Sequence, residues 1–473
     1  MPVGRHRVLG CAAAHSQDRC ARQRGGGERH RGGRCKALRD LGRERARRGC
    51  RGRGHDRRAR QRPHPGDADR ARRSVEAARA APVTRALYLL DPDPAPAWAP
   101  FTGARPLSEL RAGAYLVRER WERFAGTAAQ EIFALPHLAA FVEPGVPPVS
   151  ARHAVTGPAI IGSSTFAPQG VAPALPTGAF RLTCEGVTVG WGIGPGATWD
   201  APQPGAMAIE VRGVVLHGVF DLIRTLEKLL AQDLAALLGG GDSDAIPRGS
   251  SVIGDPAAVL LRDAAVEPGV VFDTRAGPVV LEPGVEVRAG TRLEGPLWIG
   301  AGTRVLGGPI RGSALGPRCV IRGELVTSVF LGFANKAHDG FVGHSVVGRW
   351  ANLGAGTITS NLKNTYGPAR LEVGSTAIET GLLNLGSLIG DHAKTAIGTL
   401  LGTATVIGTG ASVFGAVRPP KYVPPFAWGG SDDARMSREG FLRTAERVLP
   451  RRDVTPDAAT RAMLGRIYDW ATR

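Results

Sequence analysis

The stretch Leu281-Glu-Pro-Gly-Val-Glu-Val287-Arg-Ala-Gly-Thr-Arg-Leu293-Glu-Gly-Pro-Leu-Trp-Ile299-Gly-Ala-Gly-Thr-Arg-Val305 decides the fold. An aliphatic residue returns every sixth position, with small turn-forming residues between. The same beat returns at Ile389, Leu401, Ile407 and Val413, with Thr395 filling the missing step. Neither a 3.6-residue helical period nor strand alternation produces a spacing of six. A parallel β-helix does, because each hexapeptide is one flat side of a coil. The aliphatic side chain points inward, and Gly or Asn turns the corner where positive φ is cheap. No coil buries its apolar face alone, so stacked neighbours supply the core.

One polar stretch interrupts the repeat: Asn335-Lys336-Ala337-His338-Asp339-Gly340-Phe341. A lone His in such a place is ordinarily a solvated loop residue. Here Lys336 precedes it, Phe341 follows, and Asn352 and Asn361 come later. Coils of about 18 residues can bring such positions onto the same or adjacent sides of neighbouring turns. A His that titrates near neutrality suits removal of a proton from an attacking amine or hydroxyl. Amide side chains can hold a sugar or a developing oxyanion.

Lys336-Ala337-His338-Asp339-Gly340-Phe341-Val342-Gly343, followed by Ala351-Asn352-Leu353-Gly354-Ala355-Gly356-Thr357-Ile358-Thr359-Ser360-Asn361, resembles the acetyltransferase half of the GlmU family. The family motif is a His, an aromatic three residues later, Asn-Ile-Gly-Ala-Gly-Thr-Ile-Thr and a further Asn. The stretch is also similar to archaeal bifunctional sugar-1-phosphate nucleotidyltransferases. The resemblance implies a left-handed β-helix that trimerises, with acetyl-CoA between coils of adjacent subunits. It implies His338 as general base, with Lys336, Phe341, Asn352 and Asn361 at acceptor or cofactor. It departs from the family at Phe341 (usually Tyr), at Val326-Thr327 (usually tandem lysines) and at Leu362 (usually Tyr). The implied reaction is transfer of an acyl group to a sugar phosphate or sugar nucleotide. A non-catalytic β-helix scaffold is the reading that needs no chemistry.

Residues 83–250 read as a mixed α/β domain. Strands are expected at Leu87–Leu90, Ala179–Cys184, Val187–Trp191 and Met207–Val211. One helix is expected from Arg105-Pro106 through Trp121, and another over Val219–Leu238. In the same family the first domain joins a nucleotide to a sugar 1-phosphate with Mg²⁺. It uses a Gly-rich loop, an Arg and a Lys in a Pro-Lys-Pro context. Pro100-Phe-Thr-Gly-Ala-Arg105-Pro106-Leu107 resembles the end of that signature, with Arg105 kept for substrate and Leu107 at the Lys position. The preceding Gly-rich segment is missing, which predicts a degenerate, substrate-positioning domain; live nucleotidyl transfer is the alternative. Asp91 and Asp93 in Asp-Pro-Asp-Pro bind a metal or simply turn the chain. Gly157-Pro-Ala-Ile-Ile-Gly162-Ser-Ser reads as an anion-binding or hexapeptide-like turn.

The net charge of +18 suggests a nucleic-acid ligand until it is located. Residues 1–80 hold 24 Lys or Arg against 8 Asp or Glu, so the rest of the chain is close to neutral. No basic stripe runs through the body, and nucleic acid is not an expected partner. Residues 1–82 contain no Ile, Phe, Tyr or Trp and are expected to be disordered. A translation start placed too far upstream in a GC-rich gene gives the same composition. Cys11, Cys20, Cys35 and Cys50 lie there; Cys184 and Cys319 form no framework. No apolar run reaches membrane length, which predicts a cytoplasmic protein without a membrane partner. The β-helix is expected over 251–417. A Pro-rich link and two amphipathic helices, at 434–449 and 456–472, are expected over 418–473.

Overall fold

The computed structural model describes residues 84–202, 207–429 and 434–473. The Arg-rich segment and its four cysteines lie outside the described residues.

The N-terminal domain is a seven-stranded sheet with helices packed on it. Its strands are β1 (Ala86–Leu90), β2 (Ala129–Phe133), β3 (Val149–Ser150), β4 (Ala159–Ser163), β5 (Phe180–Cys184), β6 (Val187–Ile193) and β7 (Met207–Glu210). Their order is β7-β5-β6-β4-β1-β2-β3. Strand β1 runs parallel to both β2 and β4. The chain builds outward through β2 and β3, then crosses to the other side of β1. The order therefore reverses at β1/β4, the crevice where open α/β sheets place ligands.

The expected helix from Arg105 starts later. Arg111–Ala112 pairs with Tyr115–Leu116 in a tight hairpin, and helix α1 covers Val117–Ala125. Gly113 turns the hairpin at φ 70°, a conformation that ends a helix. Glu119 then caps α1 by accepting from the Leu116 N–H at 2.7 Å. The second expected helix is split. One turn, Asp221–Arg224, precedes α2 (Leu226–Leu238). The Gly157–Ser164 stretch is neither turn nor anion nest: it supplies β4, packed against Trp121.

From Ser251 onward the chain is a parallel β-helix of the left-handed, hexapeptide-repeat type. Three ladders of six, nine and eight parallel strands form faces I, II and III, entered in that order from Ser251–Ile253, Val259–Leu261 and Ala265–Val266. Leu281, Val287, Leu293, Ile299 and Val305 all point inward and are essentially fully buried. Beyond Val305 the six-residue beat fails while the coil continues. Val287 to Val305 is a coil of 18 residues, Val305 to Ile321 one of 16, and Ile321 to Lys336 one of 15. The inward series runs Ile310, Leu315, Ile321, Leu325, Phe330, Lys336, Val342, Val347, Leu353. From Val347 to Ile389 one coil takes 42 residues, because a hairpin (Arg370–Val373 with Thr376–Glu379) is inserted. The Pro-rich segment does not end the ladder at once, since Tyr422–Val423 pairs with Val406–Ile407.

The outer side of face II is apolar and is covered by the N-terminal domain. Leu260, Val280, Trp298, Ala314, Val329, Val346, Leu388 and Val406 join the same core as Leu87, Trp121 and Leu230. Burial of this continuous stripe joins the two domains. Arg111 lies over the Trp298 ring at 4.4 Å. Helices α3 (Arg438–Val448) and α4 (Ala458–Ala471) pack on this junction. Ser437 caps the first, and Asp457 caps the second by accepting from the Thr460 N–H.

Candidate active site

The corner between faces II and III fixes the site. At each level this corner takes a left-handed residue: Gly284 and Gly302 early on, then Arg318, Phe333, Trp350 and His392. Positive φ on bulky residues is uncommon and clusters at functional sites. Phe333 and Trp350 stack with centroids 4.5 Å apart, and His392 continues the stack 6.2 Å beyond Trp350. The sequence signal for this ladder was the loss of Gly from the turn, which a search for conserved repeat spacing passes over.

On the face III side of the ladder lies a cavity of about 430 Å³. Its walls include Phe333, Trp350, His338, Asn335, Asn352 and Lys394. Asn335, Asn352 and Lys394 are successive outward rungs of one ladder, aligned by strand register. Val448, Arg451 and Arg452 close the cavity from the C-terminal segment. His338 stands on the exposed turn between faces III and I. Among the described residues nothing hydrogen-bonds its ring, which leaves both nitrogens available to a ligand.

A relay of amides sets the donors. Arg452 Nη2 donates to Asn335 Oδ1 at 3.2 Å, and Asn335 Nδ2 donates to Asn352 Oδ1 at 2.8 Å. That leaves the Asn352 NH₂ group as a donor within the cavity. Lys394 Nζ donates to the His392 carbonyl at 2.9 Å, and burial pushes its pKa down to about 8.

Lys336 does not line this cavity. It occupies an inward position of the repeat, between Ile321 and Leu353, and is fully buried. Its ammonium donates to the carbonyls of Arg322 (3.4 Å) and His338. Burial lowers its pKa to about 8. It therefore positions the turn that carries His338. Phe341 and Asn361 are brought together, but around the corner on face I. Both approach Gly343, where any Cβ would collide with the Phe341 ring. Asn361 Nδ2 lies 2.8 Å from His344 Nδ1, and burial lowers the His344 pKa. His344 was not singled out from sequence.

Arg105 lies elsewhere again. Its guanidinium is 1% exposed and binds Asp391 at 2.7 Å and Glu143 at 2.9 Å. Arg349 reaches the other oxygen of Glu143 at 2.6 Å. This four-residue cluster ties the N-terminal domain to the β-helix. Residues 103–114 are buried throughout. Within them the Leu107 N–H donates to Asp91 Oδ2 at 3.0 Å, so the chain itself covers the carboxyl end of β1. Burial pushes the Asp91 pKa up to about 6. Among the described residues no three His, Cys, Asp or Glu side chains gather as a metal site. Cys184 and Cys319 are free and buried. No described helix is long and apolar enough to cross a membrane.

Residues 87–240 match the family described as sugar nucleotidyl transferase. The matched stretch takes in most of the seven-stranded sheet and helix α2. The chain is also similar to curated bifunctional proteins. It is 31% identical over 175 residues to the bifunctional protein GlmU of Jannaschia sp. (strain CCS1), covering 36% of each chain. It is 33% identical over 161 residues to GlmU of Sphingopyxis alaskensis, covering 33% of this chain and 32% of that one. It is 33% identical over 95 residues to the bifunctional sugar-1-phosphate nucleotidylyltransferase/acetyltransferase of Sulfurisphaera tokodaii, covering 20% and 24%. The chain thus spans about a quarter to a third of the length of these relatives.

Proposed function

We propose that the protein is an acyl-CoA-dependent acyltransferase acting on a sugar phosphate or sugar nucleotide, with its chemistry in the β-helix. The observation that carries this reading is the face III cavity, where an exposed His, a free amide donor and an aromatic wall converge at the motif shared with the GlmU family. In the proposed step an acceptor amine or hydroxyl attacks the thioester carbonyl. A ring nitrogen of His338 takes the acceptor's proton as the new bond forms. The Asn352 NH₂ group donates to the carbonyl oxygen as negative charge collects there. Collapse of that intermediate breaks the C–S bond, and the thiolate leaves as coenzyme A after taking a proton. Acetyl-CoA is the proposed donor. Lys336 holds the His338 backbone; Phe341, Asn361 and His344 bound a second polar cluster on face I. A homotrimer would have to leave face II to the N-terminal domain, which covers it in the single chain.

The test is thiol release from acetyl-CoA in the presence of amino-sugar phosphates. His338→Ala is expected to lower the rate by about 10²- to 10⁴-fold, the usual contribution of a general base. Its melting temperature should stay put, because the side chain is exposed. A variant as active as the wild type removes His338 from the mechanism.

We further propose that the N-terminal domain positions rather than catalyses. The buried 103–114 segment fills the crevice that a nucleotide would enter, and Leu107 stands at the Lys position. The family match over 87–240 favours the other reading, a working sugar-1-phosphate nucleotidyltransferase. Mg²⁺-dependent pyrophosphate release from a nucleoside triphosphate and a sugar 1-phosphate would establish it.

A further inference from the structure

The face III cavity is asymmetric in charge. Lys394, Arg451 and Arg452 line one side of it, together with His338 and two amides, and no carboxylate lines it at all. The nearby acids are turned to other partners: Asp339 to Arg322 at 3.0 Å and Asp453 to Arg318 at 2.6 Å. Three cations converging without a counter-charge form an anion site. Guanidinium groups match phosphate oxygens in particular, since their N–H donors are arranged as a planar fork.

The two arginines come from the far end of the same chain, and that segment is clamped. Arg452 Nε donates to the Arg318 carbonyl at 3.0 Å, while Arg318 Nη1 donates back to the Arg452 carbonyl at 3.0 Å. A third bond joins Arg452 to Asn335, the first rung of the cavity wall. Leu449, at the end of α3, is buried in the junction core. The segment that brings the cations is therefore held in register with Asn335, Asn352 and Lys394 before any ligand arrives.

We infer that Lys394, Arg451 and Arg452 form a subsite for a phosphate or diphosphate ester, and that one chain builds it whole, with its own C-terminal segment serving where a neighbouring subunit is expected. This rests on the proposed acyl transfer only for the identity of the ligand: the diphosphate belongs either to coenzyme A or to a sugar nucleotide. Arg452 Nη1 also donates to the Arg451 carbonyl at 3.0 Å, so Lys394, Arg451 and the remaining Nη hydrogens of Arg452 grip the diphosphate, and the stacked Phe333 and Trp350 rings offer an apolar wall to the group attached to it.

Calorimetric titration of the full chain with inorganic pyrophosphate, coenzyme A, UDP-N-acetylglucosamine and phosphate-free pantetheine tests it. Pyrophosphate and at least one of the two diphosphate esters should bind. The affinity should fall at least about tenfold in Arg452→Ala and, independently of the clamp, in the exposed-site variant Arg451→Ala; tenfold corresponds to about 1.4 kcal/mol. Raising salt should weaken the same ligands, and pantetheine should not respond to either substitution. The ester that loses more affinity identifies the source of the phosphates. Co-expressed Lys394→Met and Arg452→Ala chains should show no recovered binding, because each chain carries a broken subsite. Absence of any pyrophosphate or diphosphate binding, or affinities unchanged in both arginine variants, overturns the subsite. Recovered binding in the mixed chains overturns its completion within one chain. Binding that follows these expectations in a protein without thiol release retains the subsite and removes the acyltransferase reading. Thiol release with binding indifferent to Arg451 and Arg452 does the reverse.

Discussion

Two regions of this molecule stand where ligands are expected, and they are packed differently. In the N-terminal domain the strand order reverses at β1/β4, yet Leu107 and its neighbours are folded over Asp91. In the β-helix the corner after face II carries Phe333, Trp350 and His392 in place of Gly, and a cavity opens beside them. The two regions differ in the packing of a dozen residues, 103–114, which are buried throughout. Residues 103–114 help join the domains, through Arg105 with Asp391 and Arg111 over the Trp298 ring.

The comparison can be broken at its joint. Arg105→Ala removes a partner from a buried ion cluster and leaves Asp391 and Glu143 without it. Loss of about 3–5 kcal/mol of stability is expected in chemical denaturation, with thiol release retained per folded molecule. Loss of activity at full stability would instead put Arg105 at the substrate.

The next test concerns Lys336, a charge inside an otherwise apolar coil. Its folded-state pKa is about 8 against an ordinary value of 10.5. Between these values the unfolded chain binds more protons, so stability should rise with pH across that window. The full effect is at most about 3 kcal/mol, at about 1.4 kcal/mol per pKa unit. In Lys336→Met this rise should fall by about half, since burial lowers Lys394 to about 8 as well. Thiol release by Lys336→Met should fall without a shift in KM for the donor, since the residue holds the His338 turn and does not reach ligand. A pH–stability curve identical in wild type and variant would place the ammonium in water.

A smaller effect is expected at the amide relay. Asn335→Ala frees the Asn352 side chain to turn. About a fivefold loss in kcat should follow, the scale of one neutral hydrogen bond at about 1 kcal/mol, with little change in melting temperature. An unchanged kcat would mean that the Asn352 orientation does not matter.

The coil was legible wherever its period was strict. Leu281 through Val305 announce it because each hexapeptide repeats one backbone geometry. Between Val305 and Leu353 the coils shorten to 15–17 residues, and steps of four or five interrupt the six-residue beat. Lys336 keeps the six-residue step from Phe330 and to Val342, but a charged side chain is not expected inside a coil; strand register with Ile321 shows that it points inward. The local motif did place His338 and Asn352 beside one cavity. It could not show that Phe341 and Asn361 turn onto another face, since a corner of one residue separates them. Arg451 and Arg452 carried no local signal, because their role comes from tertiary placement more than a hundred residues from Asn335. The hairpin at 111–116 was misread as helix because apolar spacing there mimics a helical face until Gly113 turns it.

Thiol release and pyrophosphate release, measured side by side on the wild-type chain, test the central claim most directly. With acetyl-CoA, an amino-sugar phosphate, a nucleoside triphosphate, a sugar 1-phosphate and Mg²⁺ present, thiol release is predicted, abolished by His338→Ala, while pyrophosphate stays at background. Mg²⁺-dependent pyrophosphate release without thiol release would contradict the account and return the chemistry to the N-terminal domain.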